Sequence, residues 1–291
     1  MSQNAPSLRP QAEALAAPFP ALLAGAQHLA NTIMVGTHGR RRAGGGEEFW
    51  QYRPVTDGDE ARFIDWRRSA RGDTNFVRQT EWQIAQSVFI WVDDAASLTF
   101  SSSKDLPSKS HRARTVALAS AILLLKAGER VGLTDASAPP KTGQVQLMRL
   151  AQRLSDMGTG ADYGAPKAGG MMPNARAIFI SDFLGDMQAV TRAVGQAADR
   201  GVQGVLMQVL DPQEETFPFS GRTVFESMGK SLSHETQQAG DLRQRYLDRL
   251  AARKSELQGL ARASGWQFQT HHTDASARSA LLWLYSALER T

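Results

Sequence analysis

The chain has 291 residues, 42% hydrophobic and 21% charged, enough to bury a sizeable core as one large domain or two modest ones. It contains no cysteine, which excludes zinc ribbons, iron–sulfur clusters, thiol catalysis and a disulfide framework. The 33 Lys and Arg against 29 Asp and Glu leave a net charge of +4. The two signs are interspersed, without the one-signed, aromatic-interleaved stripe of a nucleic-acid binder, so no nucleic-acid partner is expected.

Taken in chain order, Met1 to Pro20 is rich in Ala and Pro and reads as a loose arm. It lacks the basic and apolar regions of a signal peptide, and the longest apolar stretch, Ala117 to Leu125, is too short to cross a membrane. A cytoplasmic protein without membrane insertion is expected. Ala21 to Thr32 has the spacing of a short helix, closing an N-terminal segment over 1–35. Gly36 to Glu48 holds Arg40-Arg41-Arg42 and Gly44-Gly45-Gly46 and reads as a loop. It lacks the spacing of a phosphate-binding loop. Phe49 to Trp82 mixes large aromatics with Arg and Asp at no clear period, which predicts short strands and tight turns. The region 36–86 is therefore an irregular, β-rich insertion.

From 87 onward the pattern is regular. Strands are predicted over Ser87–Val92, Arg130–Thr134, Ala177–Ile180, Val202–Leu210 and Trp266–Thr270. Helices are predicted over His111–Ala127, Val145–Met157, Gln188–Arg200, Asp241–Ala263 and Ala275–Leu288, with a polar segment over Gln213–Gln238. Short apolar strands alternating with helices specify an α/β fold, a doubly wound and mostly parallel sheet covered on both faces, over 87–291. In such folds functional groups gather at the C-terminal ends of strands. Three of these ends carry carboxylates: Asp93 and Asp94, Asp182, and Asp211.

Between Gly46 and Arg71 the residues Gly46-Glu47-Glu48-Phe49, Arg53, Asp57-Gly58-Asp59, Arg62, Ile64-Asp65-Trp66 and Ser69-Ala70-Arg71 form a dense string. It resembles the signature of the bacterial domain-of-unknown-function 58 family. The resemblance continues into a von Willebrand factor A-like domain. It implies a non-enzymatic adaptor or assembly factor, acting on a client protein beside a MoxR-type AAA+ ATPase.

The von Willebrand A-like resemblance also implies a metal-ion-dependent adhesion site, where hard oxygen ligands hold Mg²⁺. Asp93, Ser97 and Asp182 match its pattern, and Thr159 is the candidate for its threonine. Ala95 stands where the first serine ligand belongs, so the site is degenerate. Two readings stay open: a Mg²⁺ site with water replacing the missing hydroxyl, or carboxylates that cap loops and helix starts without metal.

Asp59, Arg62, Asp65 and Arg71, with Trp66 packed beside them, are expected to form an internal ion-pair network or a partner-binding surface. On the structural reading, Arg62→Ala lowers the melting temperature by several degrees. His271 and His272 are adjacent on a strand and face opposite ways, so one site does not use both. No Ser/His/Asp arrangement or nucleophile elbow is present, so no catalytic residue is assigned. The alternative is a metal-dependent hydrolase in which the strand-end carboxylates activate water.

Overall fold

The structure is a computed structural model that describes residues 41–56, 59–72, 74–83, 85–135, 138–158 and 161–290. The expected helix over Ala21–Thr32, the Asp57-Gly58 turn and Thr159 lie outside the described residues. Two compact units are present, one spanning Thr37–Gln86 and the other containing Ser87–Thr291.

In the smaller unit, β1 (Arg41–Pro54) pairs antiparallel with β2 (Phe76–Gln83). The loop expected over 36–48 is therefore in part a strand. The register shifts between Gly44 and Phe49, so the glycine run sits at a bulge. A 3₁₀ turn (Ala61–Phe63) and the short helix α1 (Trp66–Ser69) connect the two strands.

The larger unit is a five-stranded, wholly parallel sheet. Its strands are β3 (Ser87–Val92), β4 (Arg130–Leu133), β5 (Arg176–Ser181), β6 (Gln203–Leu210) and β9 (Gln267–His272), in the order β4-β3-β5-β6-β9. Helices α2 (Lys109–Lys126), α3 (Gln144–Asp156) and α7 (Ala277–Arg290) cover one face, and α4 (Met187–Ala198) and α6 (Gly240–Ser264) cover the other. The α/β doubly wound expectation is met. Element ends move by a few residues for local reasons. Helix α2 starts at Lys109 rather than His111 because the Ser108 side chain accepts from His111 N as the N-cap.

Strand alternation sorts the core. Val88, Ile90 and Val92 of β3 enter one apolar cluster with Ile178 and Ile180 of β5, while Phe89, Trp91, Ala177 and Phe179 enter the other. Phe179 is fully buried and meets Trp91 and Trp266 edge-on, with ring centroids 5.8 and 5.1 Å apart. The chain leaves β3 for β4 on one side and returns to β5 on the other. The C-terminal ends of β3 and β5 are thus the topological switch point, where α/β sheets place their sites.

The segment expected to be merely polar, Gln213–Gln238, contains structure. Helix α5 (Pro212–Thr216) follows β6, and β7 (Thr223–Glu226) pairs antiparallel with β8 (Ser233–Thr236). Phe217, Phe219, Phe225 and Tyr246 stack into one aromatic cluster, with centroids 4.9–5.6 Å apart.

Candidate functional site

Asp93 follows the last residue of β3 and is 1% exposed. Its Oδ1 accepts from Ala95 N at 2.9 Å, and its Oδ2 accepts from Ser181 Oγ at 2.6 Å. Ser181 Oγ in turn accepts from Phe183 N at 2.9 Å. Gly164 closes over this carboxylate: a Cβ there would lie 2.0 Å from Asp93 Oδ1. Burial pushes the Asp93 carboxyl up to about 6, although the Ser181 and Ala95 hydrogen bonds pull it down.

Asp182 follows β5 and is also 1% exposed. By alternation it leaves the sheet on the side of α2, whereas Ser181 shares the other side with Phe179. Its Oδ1 accepts from Leu184 N at 3.1 Å, and its Oδ2 accepts from Lys109 Nζ at 2.9 Å. Lys109 is the first residue of α2, is 1% exposed, and also donates to Glu214 Oε1 at 2.6 Å. Glu214 Oε2 accepts from Asp211 N at 2.8 Å. Asp211 Oδ1 accepts from Gln213 N, and its Oδ2 accepts from Ser102 N, both at 2.9 Å. Asp211 and Glu214 form a capping box with Pro212 at the first helical position.

The electrostatics follow from this packing. Burial pulls the Lys109 ammonium down, but Asp182 and Glu214 together outweigh it and hold the ammonium above the ordinary lysine value. Burial pushes Glu214 up, opposed by Lys109.

Asp93, Ser97 and Asp182 are thus brought to one end of the sheet, but the carboxylates have separate partners. Every carboxylate oxygen of Asp93 and Asp182 accepts from the protein itself. Ser97 Oγ is buried and has no hydrogen-bond partner among the described residues. The Lys109 ammonium stands 2.9 Å from Asp182 Oδ2, so a Mg²⁺ held by that oxygen would meet a second cation, and these residues do not fit the ion while Lys109 keeps that place. Among the described residues no group of three or more His, Asp or Glu is disposed to hold a metal. The same engagement leaves nothing that favours the hydrolase alternative.

Beside these groups lies a cavity of about 330 Å³, lined by Ser97, Lys109, Asp162, Tyr163, Phe219 and Met228 among others. The aromatic cluster forms one wall. The β7–β8 turn is held to the neighbouring loop through Asp162, whose Oδ2 accepts from Ser227 Oγ at 2.9 Å and from Ser231 Oγ. Tyr163 and Met228 are exposed at the rim. His271 and His272 do face opposite ways: His271 meets Arg112 NH1 at 3.1 Å, and His272 lies 3.1 Å from Glu215.

In the smaller unit the expected ion-pair network forms with other partners. Asp59 is gripped bidentately by Arg53, at 2.5 and 2.6 Å. That grip and the Thr56 N–H hold its carboxyl well below the usual range. Asp65 accepts from Tyr52 Oη at 2.9 Å and from Arg68 N at 3.0 Å, and Arg68 stacks over Tyr52 and Phe76. Arg62 is on the surface, 70% exposed, and pairs with the equally superficial Glu60 at 2.7 Å. Trp66 is 59% exposed and Arg71 is exposed, so neither is packed into a polar corner. The stability expectation for Arg62 is corrected accordingly. Arg62→Ala is expected to leave the melting temperature within about 1 °C, whereas Arg53→Ala, which removes the guanidinium from both oxygens of Asp59 and leaves only Thr56 on Oδ2, lowers it measurably. Differential scanning calorimetry of the two variants compares them, and equal effects would count against the bidentate grip.

Lys109 and Glu214 escaped the sequence reading. The available signal was the position of Lys109: a lysine in the first turn of a helix opposes the helix dipole, so it calls for a carboxylate partner elsewhere in the chain.

The "Uncharacterized protein Rv1480" of Mycobacterium tuberculosis (strain ATCC 25618 / H37Rv) is 26% identical over 258 residues, covering 83% of this chain and 80% of its own. The "Uncharacterized protein Mb1516" of Mycobacterium bovis matches to the same extent. Among solved structures, the conserved hypothetical protein BatB from Bacteroides thetaiotaomicron aligns with a TM-score of 0.41 and 16% identity, over 71% of this chain and 100% of that one. An aerotolerance-related membrane protein from Bacteroides fragilis aligns with the same TM-score and coverage at 13% identity. A family profile described as "Protein of unknown function DUF58" matches residues 51–256, well over half of the sequence, and takes in Arg53, Asp59, Asp65 and the whole strand-end cluster: the chain belongs to the DUF58 family.

Proposed function

We propose that this protein is a non-enzymatic adaptor of von Willebrand A-like architecture. It works in the cytoplasm with a MoxR-type AAA+ ATPase and engages a protein partner through its strand-end face. The observation that carries the reading is the cavity of about 330 Å³ at the switch point, with an aromatic wall and with Tyr163 and Met228 exposed at its rim. Its size lies at the small end of the range for ligand pockets, and the aromatic and Met groups exposed at its rim are favoured protein-contact residues. Asp93 and Asp182 are buried and act as positioning residues beneath this surface rather than as contacts. The ATPase partnership rests on the resemblance carried by the Gly46–Arg71 signature. No helix of the described residues is long and apolar enough to cross a membrane.

The test is affinity capture of the tagged full chain from its native cells, with quantitative mass spectrometry, comparing wild type with Met228→Glu. A MoxR-type ATPase is expected to co-purify with the wild type and to fall about fivefold or more with the variant, the loss of a contact worth roughly 1 kcal/mol. Absence of the ATPase from the wild-type capture overturns the partnership. Equal capture by both proteins moves the interface away from this face.

A further inference from the structure

We infer that Lys109 Nζ is the resident counter-ion of the strand-end face: a cation tethered to the chain, standing between Asp182 and Glu214 where a divalent ion would otherwise bind, so that the face assembles without metal. The inference is independent of the adaptor reading, because no partner enters the argument or the test.

Three observations converge on it. The first is geometry. One ammonium bridges Asp182 Oδ2 at 2.9 Å and Glu214 Oε1 at 2.6 Å, and Lys109 and Asp182 side chains are each 1% exposed. The two acids come from different segments, the loop after β5 and helix α5 after β6, and without a cation they would face each other as like charges in a largely buried site.

The second is the way the surrounding loops depend on this contact. Asp182 also accepts from Leu184 N, and Glu214 also accepts from Asp211 N. Asp211 accepts from Ser102 N, and Lys109 N donates to Phe100 O at 3.1 Å. The segments after β3, β5 and β6 are therefore joined through one ammonium. This is the work a multivalent ion does in gathering oxygen ligands from separate loops.

The third is the placement of Lys109 against its own local preference. A cation at the start of the 18-residue helix α2 is opposed by the helix dipole, and burying it costs solvation. The two carboxylates are what offsets both. A lysine side chain needs no stripping of a hydration shell from a free ion and is present at one per chain, so it fills the role constitutively. It also denies the place to Mg²⁺, since a second cation there would meet the ammonium directly.

Removing the ammonium should then turn the site into what it replaces, a pair of hard carboxylate oxygens open to a divalent ion. The experiment is thermal unfolding of the full chain in EDTA and in millimolar MgCl₂ or MnCl₂. Wild type is expected to melt at the same temperature in all three. Lys109→Ala is expected to melt roughly 10 °C lower in EDTA and to recover part of the loss, saturably, with Mg²⁺ or Mn²⁺. Adding Asp182→Asn to Lys109→Ala should abolish that response. The inference is overturned if wild type is stabilised saturably by either ion, if Lys109→Ala melts like wild type in EDTA, or if its loss is restored by neither ion. Should Lys109→Ala fail to fold in EDTA, purification in MnCl₂ decides: folding there supports the counter-ion, and failure there overturns its equivalence to an ion.

Discussion

Lys109→Met is expected to lower the unfolding free energy of the α/β unit by about 3–5 kcal/mol, the usual cost of removing one partner from a buried charge pair. Methionine keeps the length of the side chain and most of its apolar stem, so little of the loss is cavity. What remains is Asp182 and Glu214 with no cation between them. Asp182→Asn alone should cost less, about 1.5–3 kcal/mol for a charged hydrogen bond, because Lys109 retains Glu214. The double variant should be more stable than the sum of the two losses predicts, by up to about 3 kcal/mol, since the neutral amide no longer suffers from the missing ammonium. Urea unfolding of the four proteins measures this coupling. Strict additivity would mean that the Lys109–Asp182 contact at 2.9 Å contributes nothing in solution. The raised ammonium sets the pH sense: its contribution is full below the ordinary lysine value of 10.5 and is lost only as pH climbs through the higher folded value.

The second large effect belongs to Asp93. Its carboxyl sits near 6 in the folded chain against an ordinary 3.8, chiefly through burial. The folded pKa is raised, so the native state holds the proton more tightly than the unfolded state. Stability from this group is therefore present below about pH 4 and is lost as pH rises toward 6 and beyond. The shift corresponds to about 3 kcal/mol. Asparagine cannot ionise, so the stability of Asp93→Asn relative to wild type should improve by about 2.5 kcal/mol between pH 4 and pH 7. At the acid end the variant should lie below wild type. Its amide nitrogen would face Ser181 Oγ, which already accepts from Phe183 N. The difference between the two curves is the quantity to read. Burial pulls His271 down to about 4, so His271 loses stability as pH falls from 6.5 and masks Asp93 in the wild-type curve alone. A pH-independent difference would mean that Asp93 is solvated and the Gly164 lid over it is open.

Of the groups in these predictions, local sequence placed Asp93 and Asp182 at strand ends without pairing them, and it did not single out Lys109. The apolar runs of β3, β5 and β6 are buried on both faces, and such runs announce parallel strands without help from the rest of the chain. That is why the doubly wound fold, and the presence of carboxylates at its strand ends, could be read directly. The same locality explains the misreadings. The β7–β8 hairpin alternates half-buried with exposed residues over only four positions in β7, and a ladder that short and polar carries little periodic signal. Strand β1 passes through three glycines, of which Gly44 pairs with Thr80 and the others fall in the bulge before Phe49, and only the ladder with β2 on either side makes the run part of a strand. Arg62 stood at an attractive spacing from Asp59 and Asp65, yet Arg53 took Asp59, because the fold of the loop rather than the spacing decided which guanidinium could reach both oxygens.

From its own residues, then, the chain determined the strands of its parallel sheet, most of its helices, the absence of thiol chemistry, and a set of acids at the carboxyl edge of that sheet. Each follows from interactions between near neighbours: period, capping and composition. Which acids meet, and what neutralises them, was decided only by tertiary structure. Lys109 lies 73 residues from Asp182 and 105 from Glu214. The contact exists because α2 and the segments after β5 and β6 converge beside the switch point and bury Lys109 and Asp182 there. In that buried place a charge has to find its opposite across the fold, and no local pattern records which partner it will be.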